Sequence, residues 1–299
     1  MLFKTHVIDS MKMENIPIRR IKEVQNEPNL LGSFIIRDVE EMLAGKDMVQ
    51  ELHRHDFFFM LLLEKGSGLH EIDFIKYDVG DYSIFLMRPG QVHQLTLNVG
   101  SKGFLLQFQT DFFYSENIQS QQLLRKVSHI NFCNLSNDGF KKLQAILSYV
   151  FREHTDKLEG HQEVIKSNLS IFFIELVRLR QNKTAASNDG SQYAQEKLEK
   201  FLELLEVNIA QKKQVSEYAD MLHFSTYQLS AVTKALLDKT PSEIINDYII
   251  LEAKRQLLAT SLQVNQIAWH LGYEDASYFT RFFKKHTGSS PESFRQNFK

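Results

Sequence analysis

The chain has 299 residues, 43% of them hydrophobic, and a formal net charge of −2; that length suits two ordinary domains with a sizeable core each. The near-neutral balance argues against a polybasic membrane tail, and the single cysteine, Cys133, excludes an intrachain disulfide and suits a reducing cytoplasm. Met1-Leu2-Phe3-Lys4-Thr5-His6 reads without the apolar core of a signal peptide, and the longest apolar run, Phe57 to Leu63, is far too short to cross a bilayer.

The first 130 or so residues read as β structure. Phe57 to Leu63 has strand length and is followed by the turn Glu64-Lys65-Gly66-Ser67-Gly68. Tyr82 to Met87, Val92 to Leu97 and Phe104 to Phe108 are further short strands, set off by turns such as Asp78-Val79-Gly80-Asp81. Closely spaced short strands with glycine-rich turns point to an all-β sandwich or barrel. Within it, His53-Arg54-His55, Gly80-Asp81 and Pro89-Gly90-Gln91-Val92-His93 are similar to the two sequence boxes of the cupin barrel. Imidazoles from adjacent strands make His53, His55 and His93 candidate metal ligands. Metal cupins normally add a carboxylate four or five residues after the second histidine, where this chain has Phe59 and Met60. The alternative is that the histidines cap strand ends or line a metal-free pocket, and the expectation is no cofactor. By strand position, His55, Phe57, Phe59, His93 and Gln107 are candidate lining residues of an effector pocket.

Two amphipathic helices follow, Asp138 to about Lys157 and Glu163 to about Gln181. Phe140, Leu143, Ile146, Leu147 and Val150 form one apolar stripe; Ile165, Leu169, Phe172, Phe173, Leu176 and Leu179 form the other. These stripes either cover the barrel or couple two protomers, and dimerisation is the expectation. Asn182 to Ser191, rich in short polar residues, is the linker candidate.

The last ninety residues carry one pattern twice. Tyr218-Ala219 and Leu222 return as Ile267-Ala268 and Leu271; Leu229 returns as Phe279, Lys234 as Lys284, and Thr240-Pro241 as Ser290-Pro291. The offset grows from 49 to 50 across the turn, because Leu271-Gly272-Tyr273-Glu274-Asp275 is one residue longer than Leu222-His223-Phe224-Ser225. A repeat whose length changes only in its turn is a duplicated supersecondary unit, here helix, tight turn, helix. Ser225 and Asp275 are N-cap candidates for the second helix of each unit, and Gly272 a C′ residue. Tyr278, Phe279, Phe282 and Phe283 are expected to face inward, leaving Ala276, Ser277, Thr280, Arg281 and Lys284 outside. In the first copy Leu229, Val232 and Leu236 point in, and Thr226, Tyr227, Gln228, Ser230, Ala231 and Lys234 out. Thr240-Pro241-Ser242-Glu243 is a capping box opening a stiff helix to about Thr260, which would fix the spacing of the two units.

The stretch Ile267-Ala268-x-x-Leu271-Gly272-Tyr273-x-Asp275-x-Ser277-x-Phe279-x-Arg281-x-Phe283-Lys284, continuing through Gly288-x-Ser290-Pro291 to Phe294-Arg295, closely resembles the signature of AraC/XylS-type transcription regulators. The resemblance implies recognition helices in successive major grooves and a DNA-binding domain of about 100 residues. It carries DNA contacts onto Ala276, Ser277, Tyr278, Thr280, Arg281 and Lys284, and onto Thr226, Tyr227, Ser230, Ala231 and Lys234. Ala231 departs from the family pattern, where arginine is frequent. From residue 194 on, acidic and basic residues are equal in number, so the domain is not basic overall; over the last nineteen residues Arg281, Lys284, Lys285, Arg295 and Lys299 face only Glu292.

The expected architecture is α+β and multidomain: a cupin-like β-barrel with a helical pair at 1–181, a linker at 182–193, and an all-α domain at 194–299. That last domain holds helix-turn-helix units at about 213–237 and 263–287, joined by a linker helix. The expected function is a cytoplasmic, sequence-specific transcription regulator, an activator and homodimer, controlled by a small-molecule effector. Its partners would be double-stranded promoter DNA and RNA polymerase, and no membrane. The rival expectations are a cupin-type metal enzyme with an appended helical domain, and a constitutive DNA-binding regulator without ligand.

Overall fold

The computed structural model describes residues 18–19, 34–113, 118–184 and 189–297. The N-terminal part is built on two five-stranded sheets. The first runs, in spatial order, β1 (Ile18–Arg19), β3 (Met48–His55), β8 (Val92–Leu97), β5 (Gly68–Ile72) and β6 (Ile75–Val79). The second runs β10 (Phe132–Asn134), β7 (Ser83–Met87), β4 (Phe58–Lys65), β9 (Lys102–Phe108) and β2 (Phe34–Asp38). Apart from the parallel β1–β3 pair, the ladders are antiparallel.

The apolar run at Phe57 to Leu63 follows from burial on both faces of β4. Phe59, Leu61 and Leu63 point into the space between the sheets with Phe57, Phe85, Leu95 and Leu105. Phe58, Met60 and Leu62 point the other way, onto the helices. A strand covered on both sides loses the apolar-polar alternation that a half-exposed strand shows.

Those helices are α4 (Asn137–Asp156) and α5 (His161–Thr184). Ser136 caps α4 by accepting a hydrogen bond from Gly139 N, and Lys157 closes it in the left-handed region, φ 50°. Phe140, Leu143, Leu147 and Val150 of α4 and Ile165, Leu169, Phe172, Phe173 and Leu176 of α5 are all buried in one cluster with the outer face of the second sheet. Of the two roles expected for these stripes, covering the barrel is the one they fill: both are buried within one chain and are not free to couple two protomers. Apolar side chains left exposed on the pair are Tyr149, Ile171 and Ile174.

Helix α5 runs to Thr184 and α6 begins at Asp189, so helix occupies much of the stretch expected as a linker at 182–193. Residues 185–188 lie outside the described residues. Leu198, Phe201 and Leu205 anchor α6 (Asp189–Asn208) in the C-terminal core, and a packed helix propagates beyond its anchor more cheaply than a new one nucleates.

The C-terminal domain continues with α7 (Val215–Met221) and α8 (Thr226–Leu237), then α9 (Pro241–Ala259), then α10 (Val264–His270), α11 (Ala276–Thr287) and α12 (Pro291–Asn297). The α7–α8 and α10–α11 pairs are the two expected helix-turn-helix units. Helix α9 lies between them and touches α7, α8, α10, α11 and α12. Ile244, Ile245, Ile249, Ile250, Ala253, Leu257 and Leu258 are therefore buried on several sides of it rather than along one stripe.

Candidate functional site

The caps expected from sequence form. Ser225 and Gln228 make a reciprocal box at the start of α8: Gln228 N donates to Ser225 Oγ at 3.2 Å, and Ser225 N donates to Gln228 Oε1 at 2.8 Å. Gln228 is thus occupied in capping. Thr240 and Glu243 do the same for α9, with Pro241 in the first turn. Asp275 accepts from Ser277 N at 2.7 Å at the head of α11, and Gly288 ends it at φ 83°. The repeat reaches a level that sequence reading did not register. At the start of the support helices Gln214 N donates to Glu217 Oε2 (2.9 Å) and Gln263 N to Gln266 Oε1 (2.8 Å), again 49 residues apart.

The turns match in backbone as well. His223 (φ 55°) and Gly272 (φ 73°) are equivalent left-handed residues. Glycine is required only in the second copy, because a Cβ at Gly272 would lie 1.7 Å from the Ala210 carbonyl oxygen. Lys213 Nζ donates to Gly272 O at 3.0 Å across the same contact.

On α11, Phe279 and Phe283 are fully buried, while Ser277, Tyr278, Arg281 and Lys284 are exposed and Ala276 and Thr280 half-buried. Tyr278 therefore leaves the inward face expected for it: at 55% exposure it flanks the Phe279–Phe283 line and leans on Tyr273. Phe282 is only half-buried, also against Tyr273. Arg281 is 70% exposed in its side chain and, among the described residues, is held by a 3.9 Å contact to Asp275, which leaves it available to another anion. On α8, Leu229 and Thr233 are buried; Thr226, Tyr227, Ala231 and Lys234 are exposed and Ser230 is half-buried. Tyr227 is 82% exposed. All eleven sequence-predicted contact residues thus lie on α8 and α11, toward solvent or at its edge.

Inside the barrel, His53 and His55 on β3 and His93 on β8 converge, and a fourth histidine that sequence reading passed over, His70 on β5, joins them. His53 Nε2 lies 2.9 Å from His55 Nε2 and 3.0 Å from His93 Nε2; His55 and His93 are 3.2 Å apart at the same atoms. His70 Nε2 is 2.9 Å from His93 Nδ1. The parity of β5 is the signal that could have found it: His70 and Ile72 share the inward face, and register places Ile72 beside His93. All four are buried. Burial lowers each pKa first; the backbone carbonyl of Glu51 partly offsets this at His53, neighbouring histidines add to it at His55, His70 and His93, and Arg19 adds to it at His53, His55 and His93. His53 falls to about 4, His55 to about 2 and His70 to about 3, and His93 lies well below its ordinary value. All four are neutral at physiological pH. Phe57 stacks on His55 at 4.4 Å and Phe59 at 5.5 Å, while Gln107 is the register partner of Phe59. Of the five expected pocket residues, His55 thus packs on Phe57, Phe59 and His93, and Gln107 lies opposite Phe59 on the neighbouring strand.

The barrel also touches the C-terminal domain. Asp73 and Phe74 form the two-residue loop between paired Ile72 and Ile75, with φ of 49° and 69°. Positive φ at both positions is the type I′ hairpin, unusual for a bulky residue such as Phe74. The strained loop projects Asp73 onto Arg255 of α9: Nε donates to Oδ1 at 2.9 Å and Nη2 to Oδ2 at 2.5 Å. Gln91 Nε2 and Val92 N also donate to Asp73. Phe74 packs on Phe294 at 6.0 Å, with Lys254 Nζ 5.3 Å over its ring. Burial alone would lower the Arg255 pKa, but the bonds and charge of Asp73 and Glu252 outweigh it and hold it above the ordinary value. A second contact joins Arg88 to Glu206 of α6 at 2.8 Å, beside a cleft of about 590 Å³ lined by Phe58, Arg88, Lys126, His129, Glu199 and Glu206. No described helix is long and apolar enough to cross a membrane.

Residues 41–154 match the family described as AraC-like ligand binding domain, and residues 218–297 match the one described as helix-turn-helix domain. Together these take in well over half of the chain. The chain belongs to the AraC-type family of transcription regulators. The regulator is 25% identical over 248 residues to the HTH-type transcriptional activator RhaS of Klebsiella pneumoniae (strain 342), covering 82% of this chain and 87% of that one. It is 23% identical over 259 residues to the HTH-type transcriptional regulator YfiF of Bacillus subtilis (strain 168), covering 83% and 79%. Among solved structures it is similar to ToxT from Vibrio cholerae, at 16% identity over 91% of this chain and 97% of that one; the TM-score is 0.40, too loose a likeness to add to the sequence matches. It is a DNA-binding regulator of transcription with an effector domain of the AraC type.

Proposed function

We propose that the regulator binds promoter DNA through the outer faces of α8 and α11, and that the barrel controls this binding through the Asp73–Phe74 loop. The observation that carries the DNA reading is the equivalent exposure of the two recognition faces, on helices held in fixed relation by α9. Small side chains at the helix starts allow close approach; Arg281 and Lys284, with Lys234 in the other copy, supply charge for phosphate or guanine.

The control reading is supported by where the loop lands. Arg255 sits on α9, the helix common to both units, so a shift of the loop is delivered to both recognition helices. A small-molecule effector that binds the docked and released arrangements unequally would change promoter occupancy by the difference in its affinities. The charged cleft beside Arg88 and Glu206 touches both domains and is a fitting place for it. Bound upstream of a gene, the regulator would activate transcription, as the names of its RhaS relatives describe, through contact with RNA polymerase in the cytoplasm. It acts by binding and has no catalytic role in this reading. Dimerisation would use the outer face of the helical pair, where Ile171 and Ile174 remain exposed.

The test is recovery of sheared genomic DNA by the full-length protein, followed by sequencing, beside an Arg281→Ala/Lys284→Ala variant. A few sharp promoter peaks, lost in the variant, are expected. Equal recovery of the same peaks by both proteins would remove α11 from the interface.

A further inference from the structure

The barrel histidines form an arrangement that a hydrogen-bonded network does not explain. Each contact between two ring nitrogens needs one donor and one acceptor. His53 Nδ1 lies 2.7 Å from the Glu51 carbonyl oxygen, which only accepts, so that nitrogen holds the proton and His53 Nε2 presents a bare lone pair. His55 Nε2 and His93 Nε2 both face it at 2.9 and 3.0 Å, and face each other at 3.2 Å. If both carry protons, their own contact sets donor against donor. If either does not, two lone pairs meet. Three nitrogens in a triangle always leave one edge unsatisfied, and here the edge is buried, where an unpaired polar contact costs most.

We propose that His53, His55 and His93 bind a divalent transition-metal ion through their three Nε2 atoms, with His70 positioning the ring of His93. A cation at the centre accepts three lone pairs at once and removes the conflict. The nitrogen separations of 2.9–3.2 Å are those of three ligands on one face of an octahedral ion with metal–nitrogen bonds of about 2.1 Å. Neutral imidazoles suit iron, nickel, copper and zinc, and exclude magnesium and calcium, which need oxygen ligands. The outer contacts fit as well. With its Nε2 on the metal, His93 keeps its proton on Nδ1 and donates it to His70 Nε2, while His53 donates to Glu51 O. Metal-bound histidines are normally held this way by a second acceptor, which fixes tautomer and ring orientation. Phe57 stacked on His55 restricts that ring in turn. The carboxylate that sequence comparison with metal cupins would ask for is absent from the cluster, and the three imidazoles converge without it.

The proposal stands apart from the DNA reading and is tested apart from it. Untagged full-length protein, stripped with a chelator and dialysed, is titrated with Zn²⁺, Ni²⁺ or, without oxygen, Fe²⁺, and bound metal is measured by mass spectrometry. One equivalent is expected for the wild type, none for His55→Gln or His93→Gln, and a 10- to 100-fold weaker Kd for His70→Gln. His270→Gln, an exposed histidine outside the cluster, should bind as the wild type does. X-ray absorption on Ni²⁺-loaded wild type needs no variant and should show imidazole scattering from a first shell near 2.1 Å. Sub-stoichiometric metal in the wild type, equal binding by the His55 and His93 variants, or a first shell without imidazole would each overturn the site.

Discussion

The two helix-turn-helix units share a backbone and differ in what that backbone is pressed against. Both turns pass through a left-handed residue, and both support helices are capped by a side chain three residues in. The first copy places His223 at the left-handed position, exposed; the second places Gly272 there, against the Ala210 carbonyl. The surfaces diverge too: Ala231 stands where Arg281 stands. A duplicated unit thus keeps its caps and apolar spacing, which every copy needs, while residues facing other parts of the molecule or solvent follow local surroundings.

The largest effect is expected from breaking what the copies have in common. Arg255→Ala leaves Asp73 buried beside Gln91 without its cation, and losing one partner of such a pair costs about 3–5 kcal/mol. Because the pair joins two domains, the loss should appear first as undocking. Amide exchange should rise together in the Asp73–Phe74 loop and along α9, and DNA footprints of both units should change. A change confined to one footprint would contradict control through the shared helix.

The next test separates the copies. Gly272→Ala adds a left-handed strain and drives a Cβ into backbone, and should cost about 3 kcal/mol or more in a denaturant titration. His223→Ala, at the equivalent angle but exposed, should cost less than about 1 kcal/mol, since both residues already carry a Cβ in the left-handed region. Similar losses in the two variants would show that φ rather than the Ala210 contact demands the glycine.

At the DNA surface, Arg281→Ala should weaken a specific site by about 1–3 kcal/mol and relax sequence choice under α11 if it reads a base. Ala231→Arg should raise affinity more uniformly and steepen its salt dependence, as a new phosphate contact does. The smallest effect belongs to the caps. Ser225→Ala and Asp275→Ala should each lower thermal stability by about 1 kcal/mol, with similar values because each side chain accepts one backbone N–H.

Much of this was legible in the chain because it is written at short range. Capping residues, proline at the start of α9, apolar positions three and four apart, and a repeat interrupted only in its turn each involve neighbours within a few residues. Those local rules located both units. They were weaker on Tyr278, since periodicity says which side of a helix is apolar but not how wide the covering surface is. They also misassigned the stripes of α4 and α5: an apolar face must be buried, and nothing local says whether another chain or the same barrel buries it.

The sequence by itself determined the two kinds of domain, the duplicated unit, its caps and the outward faces of α8 and α11, because these depend on spacing along one strand or helix. Only the tertiary structure decided which distant residues meet. Asp73 and Arg255 are 182 residues apart, and His70 reaches His93 from another strand. Such contacts depend on sheet register and on how one domain lands on another, and neither leaves a periodic signal in the chain.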